Sequence, residues 1–116
     1  MEENRKEQIE ALVDFNERLV KNIRILVKEL SGERLDDTDN FIKGIVDAMN
    51  WEIQVMNGTM DVLNEGKVHI EKEVFNQHIV AVANAIEKKD DAKMAEAFAN
   101  VLPCFEQLGE AASQVM

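Results

Sequence analysis

Apolar residues recur at three- and four-residue steps through the first half of this chain, and this spacing restricts its fold more than any other feature. One apolar stripe consists of Ile9, Leu12, Val13, Leu19, Val20, Ile23, Leu26, Val27 and Leu30. A second stripe consists of Ile42, Val46, Met49, Ile53, Met56, Met60 and Leu63. This period is that of an amphipathic helix, since a half-buried strand alternates every second residue. The pattern therefore predicts two long helices, from about Asn4 to Leu30 and from about residue 38 to Asn64.

Residues typical of helix ends bound both stripes. Ser31 and Gly32 follow the first stripe, and glycine supplies the positive φ angle that commonly ends a helix. Before the second stripe, three side chains have oxygens that can accept hydrogen bonds from first-turn amides: Asp37, Thr38 and Asp39. Any of the three is expected to cap the second helix.

The second half of the chain predicts two more helices. A third helix should start at Val68 or Glu71 and end at Lys89, with an inward face made of Val74, Phe75, Ile79, Val82, Ala83 and Ile86. A fourth should be capped by Asp90 or Asp91. Its inward face is expected to contain Ala95, Phe98, Ala99, Leu102, Phe105 and Leu108.

Pro103 complicates the fourth helix, because proline removes a backbone donor and clashes with the preceding turn. Either one helix bends near Asn100, which we favour, or the helix stops there and Pro103 opens a short fifth helix. The loops are short, and short loops make successive helices antiparallel neighbours. We therefore expect residues 1–116 to form a single all-α domain, an antiparallel up-down bundle of about four helices.

The formal net charge of -10 is concentrated in the middle of the chain. Residues 32–66 carry eight acidic and two basic side chains. An acidic field repels phosphate backbones and anionic lipid headgroups, which argues against nucleic-acid and membrane partners. The same field could attract a basic protein segment, although a solvated acidic face is the simpler interpretation.

Catalytic and metal-binding patterns are missing from the sequence. Cys104 is the single cysteine, which suits a reducing cytoplasm and leaves no paired-thiol metal motif. His69 and His78 are the two histidines, and neither belongs to a zinc or di-iron motif. Serine-centred elbows and glycine-rich phosphate loops are also missing. We expect a cytoplasmic protein that is not an enzyme and has no cofactor and no metal.

Three polar residues interrupt the apolar faces: Asn16 in the first helix, and Glu52 and Thr59 in the second. In an antiparallel hairpin of these helices, residues whose numbers sum to about 69 lie level, which places Asn16 beside Glu52 or Ile53. An Asn16 amide that donates to Glu52 would reduce the cost of burying the carboxylate. Such a pair could simply fix the helix register, or Glu52 could lie at an edge and reach solvent. Alternatively, Asn16, Glu52, Thr59 and His78 could be the polar contacts of a small-ligand cavity.

Trp51 borders the apolar face of the second helix, with Gly44 and Gly58 seven residues to either side. The indole should therefore stand on a low surface, with Val55 one turn further along the helix. Another helix of the chain could cover this surface. It could also be an interface for a partner, because large aromatic residues beside small ones make good interface anchors.

By exclusion, the leading hypothesis is a protein-interaction module, adaptor-like or chaperone-like, that binds a protein partner or a second copy of itself. The predicted partner-binding residues are Trp51, Gly44, Gly58 and Val55. Size, acidity and helical content resemble those of small bacterial export chaperones of the flagellar type in a general way, without a motif that specifies that family. The alternative is a small-ligand sensor or carrier with an apolar interhelical cavity.

Overall fold

The computed structural model describes residues 3–116, and in this range it contains four α-helices and no β-strand. The helices are α1 (Glu3–Leu30), α2 (Thr38–Leu63), α3 (Lys72–Lys88) and α4 (Asp91–Gln114). The predicted all-α class is confirmed. Each helix lies within a few residues of the span that the apolar periodicity predicts, and for α3 the later of the two predicted starts is the closer one.

The start of α2 differs from the predicted capping. Asp37 precedes the helix, but its side chain makes no capping hydrogen bond. Thr38 is instead buried, and its hydroxyl accepts from the backbone N–H of Leu35 at 2.8 Å and donates to Glu29 Oε1 at 2.7 Å. These bonds attach the loop and the start of α2 to the end of α1. Thr38 is therefore a tertiary contact rather than a helix cap.

The connection between α3 and α4 contains one of the two aspartate caps predicted for α4. Lys89 has a φ angle of 54°, in the left-handed region, and its backbone N–H donates to the carbonyl of Ile86. Asp90 then caps α4, since its Oδ1 accepts from the backbone N–H of Lys93 at 3.2 Å. A left-handed residue followed by a capping aspartate reverses the chain within two positions.

Helix α4 continues through Pro103 from Asp91 to Gln114. The alternative of a separate fifth helix is therefore wrong, whereas the bend near Asn100 stays a prediction. Phe98 and Phe105 lie on either side of Pro103 and are both fully buried. Burial of each large side chain contributes about 1.5–3 kcal/mol, which together offsets the ~3 kcal/mol cost of an interior proline.

Helices α1 and α4 form the centre of the structure. Helix α1 packs against α2 and α4, α3 packs against α4, and α2 touches α4 only slightly. Within residues 3–116, the backbones of α2 and α3 do not approach each other closely, although residues of both helices line one groove. Arg5 bonds to Asp61 and Asn16 bonds to Glu52, so these two helices run in opposite directions. These pairs sum to 66 and 68, close to the predicted 69; the up-down order of the whole bundle stays a prediction.

The inward faces of α3 and α4 are partly different from those predicted. On α3, Val74 and Ala83 are exposed, because α3 packs against α4 and leaves its other sides uncovered. On α4, Ala99 is exposed and Leu102 is half-buried. The buried face of α4 includes five residues that were not predicted: Met94, Ala97, Val101, Ala111 and Ala112. Because α4 is a central helix, contacts with both α1 and α3 widen its buried face.

Candidate functional site

A buried asparagine connects three helices. The side-chain amide of Asn16, on α1, donates to Glu52 Oε1 of α2 at 2.9 Å and to the backbone carbonyl of Phe105 in α4 at 2.8 Å. The predicted contact between Asn16 and Glu52 is therefore confirmed. An amide group has two N–H donors, and these two bonds use both.

The contact with α4 depends on Gly109, which the sequence analysis did not identify. A Cβ atom at Gly109 would clash with the side-chain oxygen of Asn16 and lie 2.7 Å from its Cγ. The lack of a side chain thus lets Asn16 approach the backbone of α4. Gly109 could have been identified from its position inside a predicted helix. Glycine there lowers helix stability by about 1 kcal/mol relative to alanine, so its presence suggests close packing against another part of the chain.

Glu52 is fully buried, and its two carboxylate oxygens have different environments. Oε1 accepts from Asn16, whereas Oε2 has no hydrogen-bond partner among the described residues. Burial raises the pKa of Glu52 to about 7, and the Asn16 hydrogen bond partly opposes this rise. Glu52 therefore exchanges its proton near neutral pH, as an ordinary surface glutamate does not.

A groove of about 570 Å³ lies between α1 and α2, and Glu52 forms part of its wall. We call it the α1–α2 groove. Its lining is mainly apolar and aromatic, with a few polar groups: Phe15, Arg18, Leu19, Asn22, Phe41, Gly44, Ile45, Ala48, Trp51 and Glu52. All of these residues belong to α1 or α2. The groove thus unites the predicted surface around Trp51 with the buried carboxylate.

Two aromatic side chains of this groove remain partly in solvent. Phe15 is 48% exposed and Trp51 is 37% exposed. Their rings meet edge to face, with centroids 5.1 Å apart and an interplanar angle of 67°. The guanidinium of Arg18 lies 4.9 Å from the centroid of Phe15. Phe15 and Arg18 were not predicted from the sequence, because they lie outside the apolar stripe of α1. Their three-residue spacing places them on one side of the helix.

The other predicted partner-binding residues lie in different positions. Gly44 lines the α1–α2 groove, and a Cβ atom there would meet nothing within 4 Å. Gly58 is equally open, and Val55 is half-buried, but neither belongs to the lining of this groove. Trp51 and Gly44 are therefore the two that the structure brings together.

The alternative ligand set is not brought together as one site. Thr59 is fully buried, and its hydroxyl donates to the carbonyl of Val55 in the same helix at 2.7 Å. His78 is half-buried on α3 and does not line the α1–α2 groove. Asn16 and Glu52 remain as the pair that is in contact.

A second groove, of about 730 Å³, separates the start of α2 from the end of α3. At its edge Arg34 bonds to Asp39 at 2.7 Å and to both oxygens of Asp91 at 2.8 and 2.9 Å. The hydrogen bonds from Arg34 lower the pKa of Asp91, and together with the Asp39 bond they tie the starts of α2 and α4 together. This groove contains no buried polar atom that lacks a partner in residues 3–116.

The remaining features of the described residues concern a metal site, a thiol nucleophile and membrane-spanning helices. Among the described residues, no group of three or more histidine, cysteine or acidic side chains is arranged to hold a metal ion. Cys104 is half-buried, and burial raises the pKa of its thiol, which makes it a poor nucleophile. None of the helices in residues 3–116 has the length and apolar character needed to span a membrane.

Comparison with known protein families places the whole arrangement in one family. The model of a domain of unknown function, DUF8042, matches residues 7–111. The chain belongs to the DUF8042 family. The match includes every residue that lines the α1–α2 groove, together with Asn16 and Gly109. No curated protein and no solved structure matches this DUF8042 chain.

Proposed function

We propose that this DUF8042 protein is a non-enzymatic protein-interaction module, adaptor-like or chaperone-like, that binds a helix of another protein in the α1–α2 groove. The proposal includes a cytoplasmic location and an antiparallel up-down bundle whose last helix bends near Pro103. The observation that carries it is the exposed Phe15–Trp51 pair at an apolar groove. Amphipathic helices commonly bind by placing an apolar face into such a groove.

The composition of the groove supports a protein partner. Tryptophan is enriched among the residues that dominate the energy of interfaces. Here Gly44 leaves open space in the same groove as Trp51. The net charge of -10 would attract a basic partner and repel an acidic one.

The first experiment measures the solution mass of the wild type and of Trp51→Ala by light scattering, with circular dichroism as a check on helicity. A dimer that becomes a folded monomer would identify a second copy of the chain as the partner. A wild-type monomer would direct the search to a different protein. Loss of helicity in the variant would contradict the proposal, because Trp51 would then be required for the fold.

A second experiment blocks the groove without removing an aromatic side chain. Gly44→Leu should fill the space beside Trp51 and weaken partner binding at least tenfold, while the helices remain intact. Gly58→Leu adds the same side chain at an equally open position of α2, outside the lining. Equal effects of the two substitutions would extend the binding surface to Gly58, and no effect of Gly44→Leu would contradict the groove as the binding site.

A small-ligand sensor or carrier is a second candidate, favoured by the buried Oε2 of Glu52. The groove volume of about 570 Å³ also lies within the range of small-molecule sites, roughly 300–1,000 Å³. Native mass spectrometry of the wild type and of Glu52→Gln tests this candidate. A small molecule that stays bound to the wild type and is lost from the variant would support it.

A further inference from the structure

Building on the proposed interaction function, we infer that the α1–α2 groove selects a basic amphipathic helix, one lysine or arginine of which pairs with Glu52 Oε2. Glu52 would then be the residue that determines the charge of the partner. The starting point is a fully buried carboxylate that forms part of the groove wall and has one oxygen without a partner.

The polar side chains inside the bundle have no donor left for this oxygen. Asn16 uses one N–H on Glu52 Oε1 and the other on the carbonyl of Phe105. The hydroxyl of Thr59 donates to Val55 in its own helix. A buried polar atom without a hydrogen bond costs about 1–3 kcal/mol, and a charged one costs more. A donor from outside the chain would remove this cost.

The carboxylate itself favours a cationic donor. Outside the groove, α2 also carries Asp39, Asp47 and Asp61 against one basic residue, Lys43, although Asp39 pairs with Arg34 and Asp61 with Arg5. Hydrogen bonds between an ammonium or guanidinium group and a carboxylate are roughly twice as strong as neutral ones. The neighbouring aromatic rings also tolerate a cation, since the Arg18 guanidinium already lies over Phe15.

Access to Glu52 requires movement of the side chains at the groove. Oε2 has no exposed surface, so a donor enters only if partly exposed side chains such as Trp51 and Phe15 rotate aside. A lysine has a long apolar stem that can lie along Leu19, Ile45 and Ala48 while its charged end reaches inward. The same stem buries more apolar surface than a short polar donor could.

The pairing would couple binding to proton release. In the free protein, burial holds the pKa of Glu52 near 7, and the Asn16 hydrogen bond acts against this rise. The charged side chain that faces the groove from α1 is Arg18, and α4 contributes the uncharged Phe105 carbonyl. A partner cation stabilises the carboxylate form and lowers its pKa. Affinity should therefore rise by up to tenfold per pH unit toward pH 7 and level off above it.

The test selects binders from a library of displayed 16-residue amphipathic helical peptides against the full chain at pH 8. Isothermal titration calorimetry then compares the wild type with Trp51→Ala, Glu52→Gln and Asp47→Asn. Asp47→Asn is the matched control, because it removes one carboxylate from the same helix outside the lining of the α1–α2 groove. The selected peptides should share a lysine or arginine within the apolar face. Replacing it with norleucine should weaken wild-type binding at least tenfold and Glu52→Gln binding by less than twofold.

The possible results separate the inference from the function on which it rests. Peptides that lose binding to Trp51→Ala but bind Glu52→Gln normally would overturn the role of Glu52 and leave the interaction function in place. Peptides that bind Trp51→Ala as tightly as the wild type would overturn both the role of Glu52 and the interaction function. A selection that yields no binders would do the same. If Glu52→Gln fails to fold, the norleucine peptide and the pH profile on the wild type decide: equal affinity of both peptides at pH 8 would overturn the inference.

Discussion

Two aromatic pairs in this molecule have nearly the same geometry and very different surroundings. Phe75 and Phe105 meet edge to face with centroids 5.0 Å apart, and Phe15 and Trp51 do so at 5.1 Å. Phe75 and Phe105 are 2% and 0% exposed, whereas Phe15 and Trp51 are 48% and 37% exposed. The ring contact itself is worth only about 0.5–1.5 kcal/mol, so burial determines how much each pair contributes to folding.

The positions of the helices explain this difference. Phe105 belongs to α4, which is covered by α1 on one side and by α3 on the other. The α1–α2 groove has lining residues from two helices and no cover from α3 or α4. The buried pair therefore stabilises the bundle, while the exposed pair leaves apolar surface in contact with solvent.

The largest expected effect is on the buried pair. Phe105→Ala should lower the free energy of unfolding by about 3–5 kcal/mol, because it leaves a cavity in the centre of the bundle. Phe15→Ala should lower it by about 1 kcal/mol or less, since its ring is half in solvent. Urea unfolding followed by circular dichroism measures both. Similar losses would mean that the groove is part of the core in solution.

The next largest effect is on the pH dependence of the free energy of unfolding, which the buried carboxylate of Glu52 should change and a surface carboxylate should not. The pKa of Glu52 rises from 4.5 to about 7 on folding, so the folded state binds this proton more tightly. The resulting stabilisation is complete below pH 4.5 and is lost as the pH rises to about 7. Integrated over this window, it amounts to about 3 kcal/mol. Between pH 4.5 and pH 8, the stability of Glu52→Gln relative to wild type should therefore increase by about 3 kcal/mol.

Urea unfolding of both proteins at several pH values provides this comparison. Every other ionisable group is shared, so the difference between the two proteins isolates Glu52. Glutamine retains an acceptor for Asn16 and cannot ionise. A difference that does not change with pH would show that Glu52 reaches solvent in the folded protein.

The contact between α1 and α4 should be sensitive to a single methyl group. Gly109→Ala places a Cβ atom against the side-chain oxygen of Asn16 and should destabilise the protein by about 1–3 kcal/mol. Part of this loss should disappear in the background of Asn16→Ala, which removes the clashing atom. A double-mutant cycle by chemical denaturation measures the coupling. Additive effects would contradict the close approach of these two helices.

The smallest effects are expected on the open side of α2. Gly44→Ala and Gly58→Ala introduce a Cβ atom that meets nothing within 4 Å. Since alanine favours a helix interior, each should stabilise the protein by about 0.5–1 kcal/mol. Thermal unfolding detects a change of this size. Destabilisation at Gly44 would indicate that the groove is closed in solution.

Much of the local structure could be predicted from the sequence. Three- and four-residue spacing located all four helices, and Asp90 was one of the two residues expected to cap α4. The contact between Asn16 and Glu52 was predictable because each interrupts an apolar stripe and the loop between α1 and α2 is short. The capping of α2 was not, because the Thr38 hydroxyl bonds instead to Glu29, on another helix.

The residues that α2 contributes to the candidate site could be predicted from the sequence, whereas those that α1 contributes could not. Glu52, Trp51 and Gly44 share α2, so their relation follows from helical geometry. Phe15 and Arg18 approach them from α1 on a side of that helix that carries no apolar stripe. His78 was grouped with Glu52 as a possible ligand contact, but it does not line the α1–α2 groove.

The sequence by itself determined the approximate spans of the four helices and the apolar faces of α1 and α2, since these depend on neighbouring residues. Only the tertiary structure decided which helix covers which face: α1 and α4 meet at the centre, and the backbones of α2 and α3 stay apart within residues 3–116. An apolar face can be buried against any other apolar face of suitable shape, so periodicity does not specify its partner. The same choice of neighbours leaves Glu52 Oε2 without a hydrogen bond and the Phe15–Trp51 pair uncovered.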